Sequence, residues 1–413
     1  VPTEKTPKSK TQKLASALRR AYREMNLSIF LPYMVLSIIG LIMVFTASSY
    51  RAISEGNDVS YYVVRQLVFM GVGFVVAMLI YRLRVTVFRS QAFKKLAIAV
   101  ISLALVFVLF FGEEINGAKG WIDLYVISIQ PIEFAKPVLI LLLADYFSRY
   151  QKDFGQNPGW KGFFRVLGRH PLVPGAILLW LGIAVLLPDI GGFGLLLVIA
   201  SLMVLGSGIS SKVVKVLSGL AVAGYAVLVL GARLANHLGW SSDNYQVQRL
   251  LSFVNPFPEA QGIGHQLVNS YYALKGGGLF GRGLGNSVQK LGYLPEAHND
   301  FIMAIVGEEL GLVGLIFILG LYFYLTLYLY FRAQKARSVY IQMLLIGLAS
   351  YFLIQAVINL GGVTGLLPIT GITFPFISYG GSSILTSAIM VGLALSAVRA
   401  DQFGQLKKRQ PSK

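Results

Sequence analysis

The sequence predicts an all-α polytopic integral membrane protein with ten transmembrane helices and a large external loop between helices 7 and 8. Three observations carry this expectation. Apolar residues make up 55% of the 413 positions, and charged ones only 13%, about half the roughly 25% usual in soluble domains. The charges sit in the gaps between long apolar runs. The basic excess, 36 Lys and Arg against 18 Asp and Glu, follows those gaps, as in membrane proteins with cation-rich cytoplasmic loops. A soluble enzyme, a disordered chain and a nucleic-acid partner are excluded. With no cysteine, disulfides, thiolate metal sites and Cys nucleophiles are excluded as well. Four scattered histidines argue against a histidine-rich metal site.

Taken in order, residues 1–27 form a basic tail, and Leu27 to Tyr50 is a charge-free stretch long enough to cross a bilayer. Further runs lie at about 62–81, 96–112, 171–188, 190–211, 216–232 and 310–331. Residues 132–147 form a shorter apolar stretch that holds Glu133, Lys136 and Asp145. From Ser338 to Val398 no Asp, Glu, Lys, Arg or His occurs. That is too long for one helix, and Gly361-Gly362, Pro368, Pro375 and Gly380-Gly381 divide it in two. This places transmembrane helices 1–7 in residues 28–232, the external loop in 233–299, helices 8–10 in 300–399 and a second basic tail in 400–413. With the N-terminus inside, cytoplasmic segments hold 27 Lys and Arg and external ones seven, while Arg65 and Lys136 sit at span ends. Both termini are therefore expected in the cytoplasm.

The 233–299 loop stands apart, because structureless loops of that length are uncommon and usually functional. Its stretches 245–254 and 266–274 read as short amphipathic helices on the outer leaflet. Five of the seven external cations lie in it, matched either to an anionic substrate or to lipid headgroups. Asp300 ends the loop and opens the eighth span. At helical spacing Asp300, Ala304, Gly307 and Gly311 form one narrow stripe of small residues, a helix-contact face in membranes. That turns Asp300 toward the bundle, either as a helix cap or as a partly desolvated general base. His298 and Glu296 stand beside it as supporting groups, and Glu308 and Glu309 lie deeper and require partners. Glu133 and Lys136, at i,i+3, serve as a structural ion pair or as part of a site. Asp189, in a tight external turn, reads as a cap. The run Gly276 to Gly285 lacks a preceding strand, Rossmann spacing and a Walker lysine. It reads as a flexible segment from which Arg282 reaches a lipid-borne phosphate. Residues 361–383, uncharged and rich in Gly, Pro and hydroxyls, read as a re-entrant wall of an outward pocket that includes Ser378 and Tyr379.

These motifs carry a resemblance. Gly117-Ala-Lys-Gly-Trp-Ile122, Gln130-Pro-x-Glu-Phe-Ala-Lys136, Pro188-Asp-x-Gly191, Leu284 through Phe301, Gly307-Glu-Glu-Leu-Gly311 and Gly365 through Ser383 are similar to the shape, elongation, division and sporulation family, from about residue 28 to 399. The Leu284–His298 run is closer to its cell-division branch than to its elongation branch. The resemblance implies ten spans, a large fourth external loop and polymerisation of lipid II into peptidoglycan strands outside the cytoplasmic membrane, at the division septum. The implied partners are a class B penicillin-binding transpeptidase and other division membrane proteins. It also implies an essential carboxylate at Asp300, with Glu133 and Lys136 as further conserved positions. Lys119, Lys136 or Arg282 would then meet the departing pyrophosphate, with or without a divalent cation. Leu187, Gly192, Lys119-Gly120 and Thr370 depart from the family's common residues. A lipid II transporter and an elongation-type polymerase are the alternatives.

Overall fold

The computed structural model describes residues 25–115, 118–123, 128–156, 159–208, 211–238, 245–257 and 264–407. Most of the first basic tail, the last six residues of the second, and Gly117 of the first motif lie outside the described residues. The helices are α1 (Leu27–Ser54), α2 (Tyr61–Arg82), α3 (Val85–Phe88), α4 (Gln91–Phe111), α5 (Pro131–Gln156), α6 (Trp160–Arg169), α7 (Leu172–Leu186), α8 (Ile190–Gly206), α9 (Ser211–His237), α10 (Tyr245–Val254), α11 (His265–Gly277), α12 (Ile302–Gln334), α13 (Val339–Val363) and α14 (Gly381–Lys407). Six of them, α1, α2, α4, α12, α13 and α14, are long and apolar enough to cross a membrane. The chain is thus a mostly helical, multi-pass membrane protein. The all-α expectation needs one correction. Strands β1 (Glu113–Ile115), β2 (Ala118–Asp123) and β3 (Ser128–Ile129) form an antiparallel sheet between α4 and α5. Three strands of two to six residues carry too little alternation to register in the sequence.

Local chemistry starts and stops these elements. Ser90 caps α4 by accepting the Phe93 N–H, and Pro131 opens α5, where its missing N–H costs nothing. The α6–α7 pair bends by 97° at His170-Pro171. Helices α13 and α14 form the centre, with 67% and 78% of their most apolar stretches buried, whereas α2 and α4 bury only 17% and 22%. In lipid an exposed apolar face carries no penalty, so close backbone approach decides which helices pair. A Cβ on Gly392 of α14 would lie 2.8 Å from the Ala77 carbonyl oxygen of α2, and one on Gly73 would lie 3.1 Å from the Ala388 methyl.

Helix α12 is broken at Gly311 (φ 68°, ψ −170°). Residues 278–283 fill the break. Leu312 and Val313 donate N–H bonds to the Gly278 and Leu279 carbonyls, and Arg282 and Gly283 donate to those of Glu308 and Glu309. The glycine-rich run is therefore packed between the halves of a transmembrane helix, and the expectation of a flexible segment is corrected. Helix α11 is also docked on protein. Its Leu267, Val268 and Ser270 are buried, and the Ser270 hydroxyl donates to the Val363 carbonyl at 2.7 Å. A helix lying only on the outer leaflet would not bury these residues.

Candidate active site

Asp300 lies in a run of turns that ends where α12 begins, at Ile302. Phe301 holds the cap position and makes no side-chain cap bond, so Asp300 is neither the cap nor in phase with the Ala304–Gly307–Gly311 stripe. Two amides on α13, four residues apart, organise its surroundings. Asn359 donates to the carbonyls of Asp300 (2.7 Å) and Ile372 (2.8 Å), and Gln355 donates to that of Thr373 (3.2 Å). They pin the irregular segment 364–380, buried at Ile372, Phe374, Phe376, Ile377 and Ser378, against the turn that carries Asp300. Irregular backbone at this depth needs such protein partners. Phe301, Asn359, Thr370 and Ile372 line a crevice beside Asp300 of about 10 Å³, room for a single water.

The Asp300 carboxyl is pushed up to about 7, first by burial and then by the negative charge of Glu296, while the Arg249 guanidinium on α10 pulls it down. Glu296 is half-buried, and its hydrogen bond from Arg51 (2.9 Å) and that cation's charge hold its carboxyl below the usual range against this burial. His298 is driven down to about 4 by burial, so it is neutral at physiological pH. Its ring packs on Tyr62 (4.7 Å between centroids) and Tyr379 (5.6 Å), and its carbonyl accepts the Tyr379 N–H. Ser378 turns inward, its hydroxyl accepting the Phe374 N–H and its carbonyl accepting the Gln66 amide.

A second cluster surrounds Glu133 and Lys136, paired at 2.5 Å with Lys136 only 1% exposed. Lys136 stands 5.9 Å over the Tyr351 ring. Asp189 caps α8 by accepting the Gly192 N–H at 2.7 Å, and it faces the Gln130 amide at 3.4 Å. Burial holds its carboxyl above the usual range. Segment 364–380 links the two clusters. Gly191 packs against the Thr370 carbonyl, a contact that a Cβ would tighten to 2.9 Å, and Ser382, just beyond, accepts the Gln130 N–H. Neither Glu133 nor Lys136 lines the crevice at Asp300, so the clusters border one segment without sharing a cavity.

The deep glutamates are partnered. Glu308 accepts the Ser287 hydroxyl and the N–H groups of Val288 and Gln289, and Lys290 pairs with Glu309 at 2.8 Å. Arg282 donates to the Gly276 carbonyl and lies 3.4 Å from Glu308. Gly307 packs against Leu274, and Gly311 forms the helix break. Lys119 lies exposed on β2, opposite Glu114. Among the described residues no group of three or more His, Asp or Glu is placed to hold a metal ion.

Sequence reasoning did not single out Arg249 or Asn359. Nothing in the linear order joins Arg249 to a carboxylate 51 positions later. Gln355 and Asn359 carried a signal, since two amides one turn apart in a charge-free run demand partners.

Comparison with known proteins decides the family. The model of the cell cycle protein family of FtsW, RodA and SpoVE matches residues 26–402. The chain belongs to this family. Among members, the probable peptidoglycan glycosyltransferase FtsW of Lactococcus lactis is 35% identical over 94% of each chain. Stage V sporulation protein E of Bacillus subtilis is 37% identical over 90% of this chain and 96% of its own. Among solved structures, a chain of a peptidoglycan synthase complex that coordinates polymerization and crosslinking superposes with a TM-score of 0.67 at 25% identity. It covers 91% of this chain and 98% of its own. The rod shape determining protein RodA of Thermus thermophilus gives 0.63 at 25% identity, covering 91% and 97%.

Proposed function

We propose that the chain is an inverting peptidoglycan glycosyltransferase that polymerises lipid II at the outer face of the cytoplasmic membrane during septal wall synthesis, with Asp300 as general base. The observation that carries the mechanism is the Asp300 carboxyl, buried, raised to about 7 and bordering a crevice at the end of the bundle. A base works best when its proton affinity lies near the working pH. The acceptor's sugar hydroxyl attacks the donor's anomeric carbon. As that O–C bond forms, its proton passes to Asp300, and the bond to the polyprenyl pyrophosphate breaks with the electron pair leaving on phosphate oxygen. Arg249, whose charge already acts on Asp300, is the cation suited to the developing negative charge. Lys136 and Arg282 are engaged by Glu133 and Glu308. A one-water crevice admits no disaccharide, so catalysis requires segment 369–372 to move away from Asp300.

Ten crossings with both termini cytoplasmic complete this reading, supported by the 27-to-7 partition of cations. A class B penicillin-binding transpeptidase is the partner, supported by the likeness to a chain of a peptidoglycan synthase complex. The rival transporter needs a polar path through the membrane. Along α5 the buried apolar residues Leu139 to Ala144 separate Glu133 and Lys136 from Asp145, which favours the enzyme. Asp300→Asn keeps the shape and removes the base. Polymerisation of purified lipid II should fall at least about a hundredfold, while folding, read by thermal melting, persists. Polymerisation at the normal rate by the folded variant overturns the base assignment.

A further inference from the structure

A large cavity lies at the other end of the bundle. It has a volume of about 690 Å³ and opens between α4, α5 and the bent α6–α7 pair, within the range of small-molecule sites. Its Asp145 lies twelve residues beyond Glu133 along α5, about 18 Å at helical rise. The polar end of the cavity is cationic. Asp145, 1% exposed, accepts hydrogen bonds from Lys94 (2.6 Å), Arg149 (2.6 Å) and Arg89 (3.2 Å), so one carboxylate faces three cations. Arg169 also lines the cavity, and its exposed guanidinium makes no hydrogen bond or ion pair with another described residue. The opposite wall is apolar, with Ile98, Leu172 and Leu179. The neighbouring helix faces are exposed and apolar, as at Leu103 (69%) and Leu178 (70%), so in a membrane acyl chains stand at the opening.

We infer that this cavity is a binding site for one anionic phospholipid of the inner leaflet. Its phosphate is held by the excess positive charge of Lys94, Arg149 and Arg169, and an acyl chain lies along Ile98 and Leu179. A single carboxylate leaves the cluster net positive, and positive charge beside an apolar slot at the membrane boundary recognises an acidic headgroup. A free phosphate shares the headgroup chemistry and makes no use of the apolar wall. A zwitterionic lipid uses the wall and gains little from the cations.

The test uses the full-length protein in nanodiscs of phosphatidylcholine with a minor fraction of phosphatidylglycerol, and counts the lipids retained on release by native mass spectrometry. The expected result is preferential retention of one phosphatidylglycerol. Arg169→Gln removes a cation without a partner among the described residues and should weaken retention about fivefold. Gly175→Phe fills the cavity from α7, where a Cβ at Gly175 meets nothing within 4 Å, and should abolish retention with the cations intact. Thermal melting of both variants verifies folding. Equal retention of phosphatidylcholine and phosphatidylglycerol overturns the proposal, as does unchanged retention in folded Arg169→Gln. Displacement of the lipid by millimolar inorganic phosphate, with undiminished retention in Gly175→Phe, identifies a phosphate site in place of a lipid site and also overturns it.

Discussion

At Asp300 the same physics sets proton affinity and stability. Burial raises this carboxyl from an ordinary 3.8 to about 7, so the folded state holds a proton that the unfolded chain has released. Stability therefore falls as pH rises from about 4 to about 7 and is level above, the opposite of an acid held low by a salt bridge. Asp300→Asn should raise the melting temperature at pH 8, by the equivalent of at most about 4 kcal/mol, and leave it little changed near pH 4. An equal effect at both values would show that the carboxyl is not desolvated. The proposed general base acts only when ionised, so polymerisation should climb with pH through about 7. The charges that face Asp300 are Glu296 and Arg249. Glu296→Gln removes the negative one and should move the climb to lower pH, and Arg249→Gln should move it to higher pH. Two pH–rate profiles that coincide with the parent's would dissociate both residues from the base. Asp300 was legible in the sequence as a carboxylate at a span boundary. The source of its elevated proton affinity was not, because Asn359 and the 369–372 backbone that shield it come from the far side of α12.

At the level of elements, the break in α12 is the feature that most departs from the pattern read in the sequence. Gly307 and Gly311 looked like successive members of a contact stripe. Gly311 instead adopts a conformation open only to glycine, and a Cβ there would fall 2.3 Å from the Gly281 nitrogen and 2.5 Å from the Leu279 oxygen. Gly311→Ala should destabilise the protein by at least about 2 kcal/mol through backbone strain and overlap. Gly320→Ala, on the same helix with open space around it, should be neutral or stabilise by up to about 1 kcal/mol. Melting curves of the two side by side provide the comparison, and similar midpoints would deny the inserted segment its structural role. The break was illegible because its cause lies some thirty positions upstream, in a glycine run whose composition reads equally as mobile chain. The apolar helices, six of them long enough to cross a membrane, were legible for the converse reason. Charge-free length is a local property, and a helix lies over every apolar stretch that the sequence marks.

For the whole molecule, orientation is the claim with most reach, and the absence of cysteine makes it accessible. Single cysteines at Leu284 and Lys161, both exposed, should differ in intact cells, with a membrane-impermeant thiol reagent labelling the first and sparing the second until the membrane is opened. The reverse pattern would invert the topology and place Asp300 in the cytoplasm. The sheet between α4 and α5 and the docking of α11 emerged only in three dimensions, since both depend on partners outside their own stretches. The tightness of the space at Asp300 has a consequence for fidelity. Any catalyst that readies a hydroxyl for attack on an activated sugar risks squandering that sugar on solvent, ending the strand instead of extending it. On the proposed mechanism, a chamber that holds one solvent molecule at rest and widens as cargo enters would give hydrolysis little opportunity and let elongation prevail.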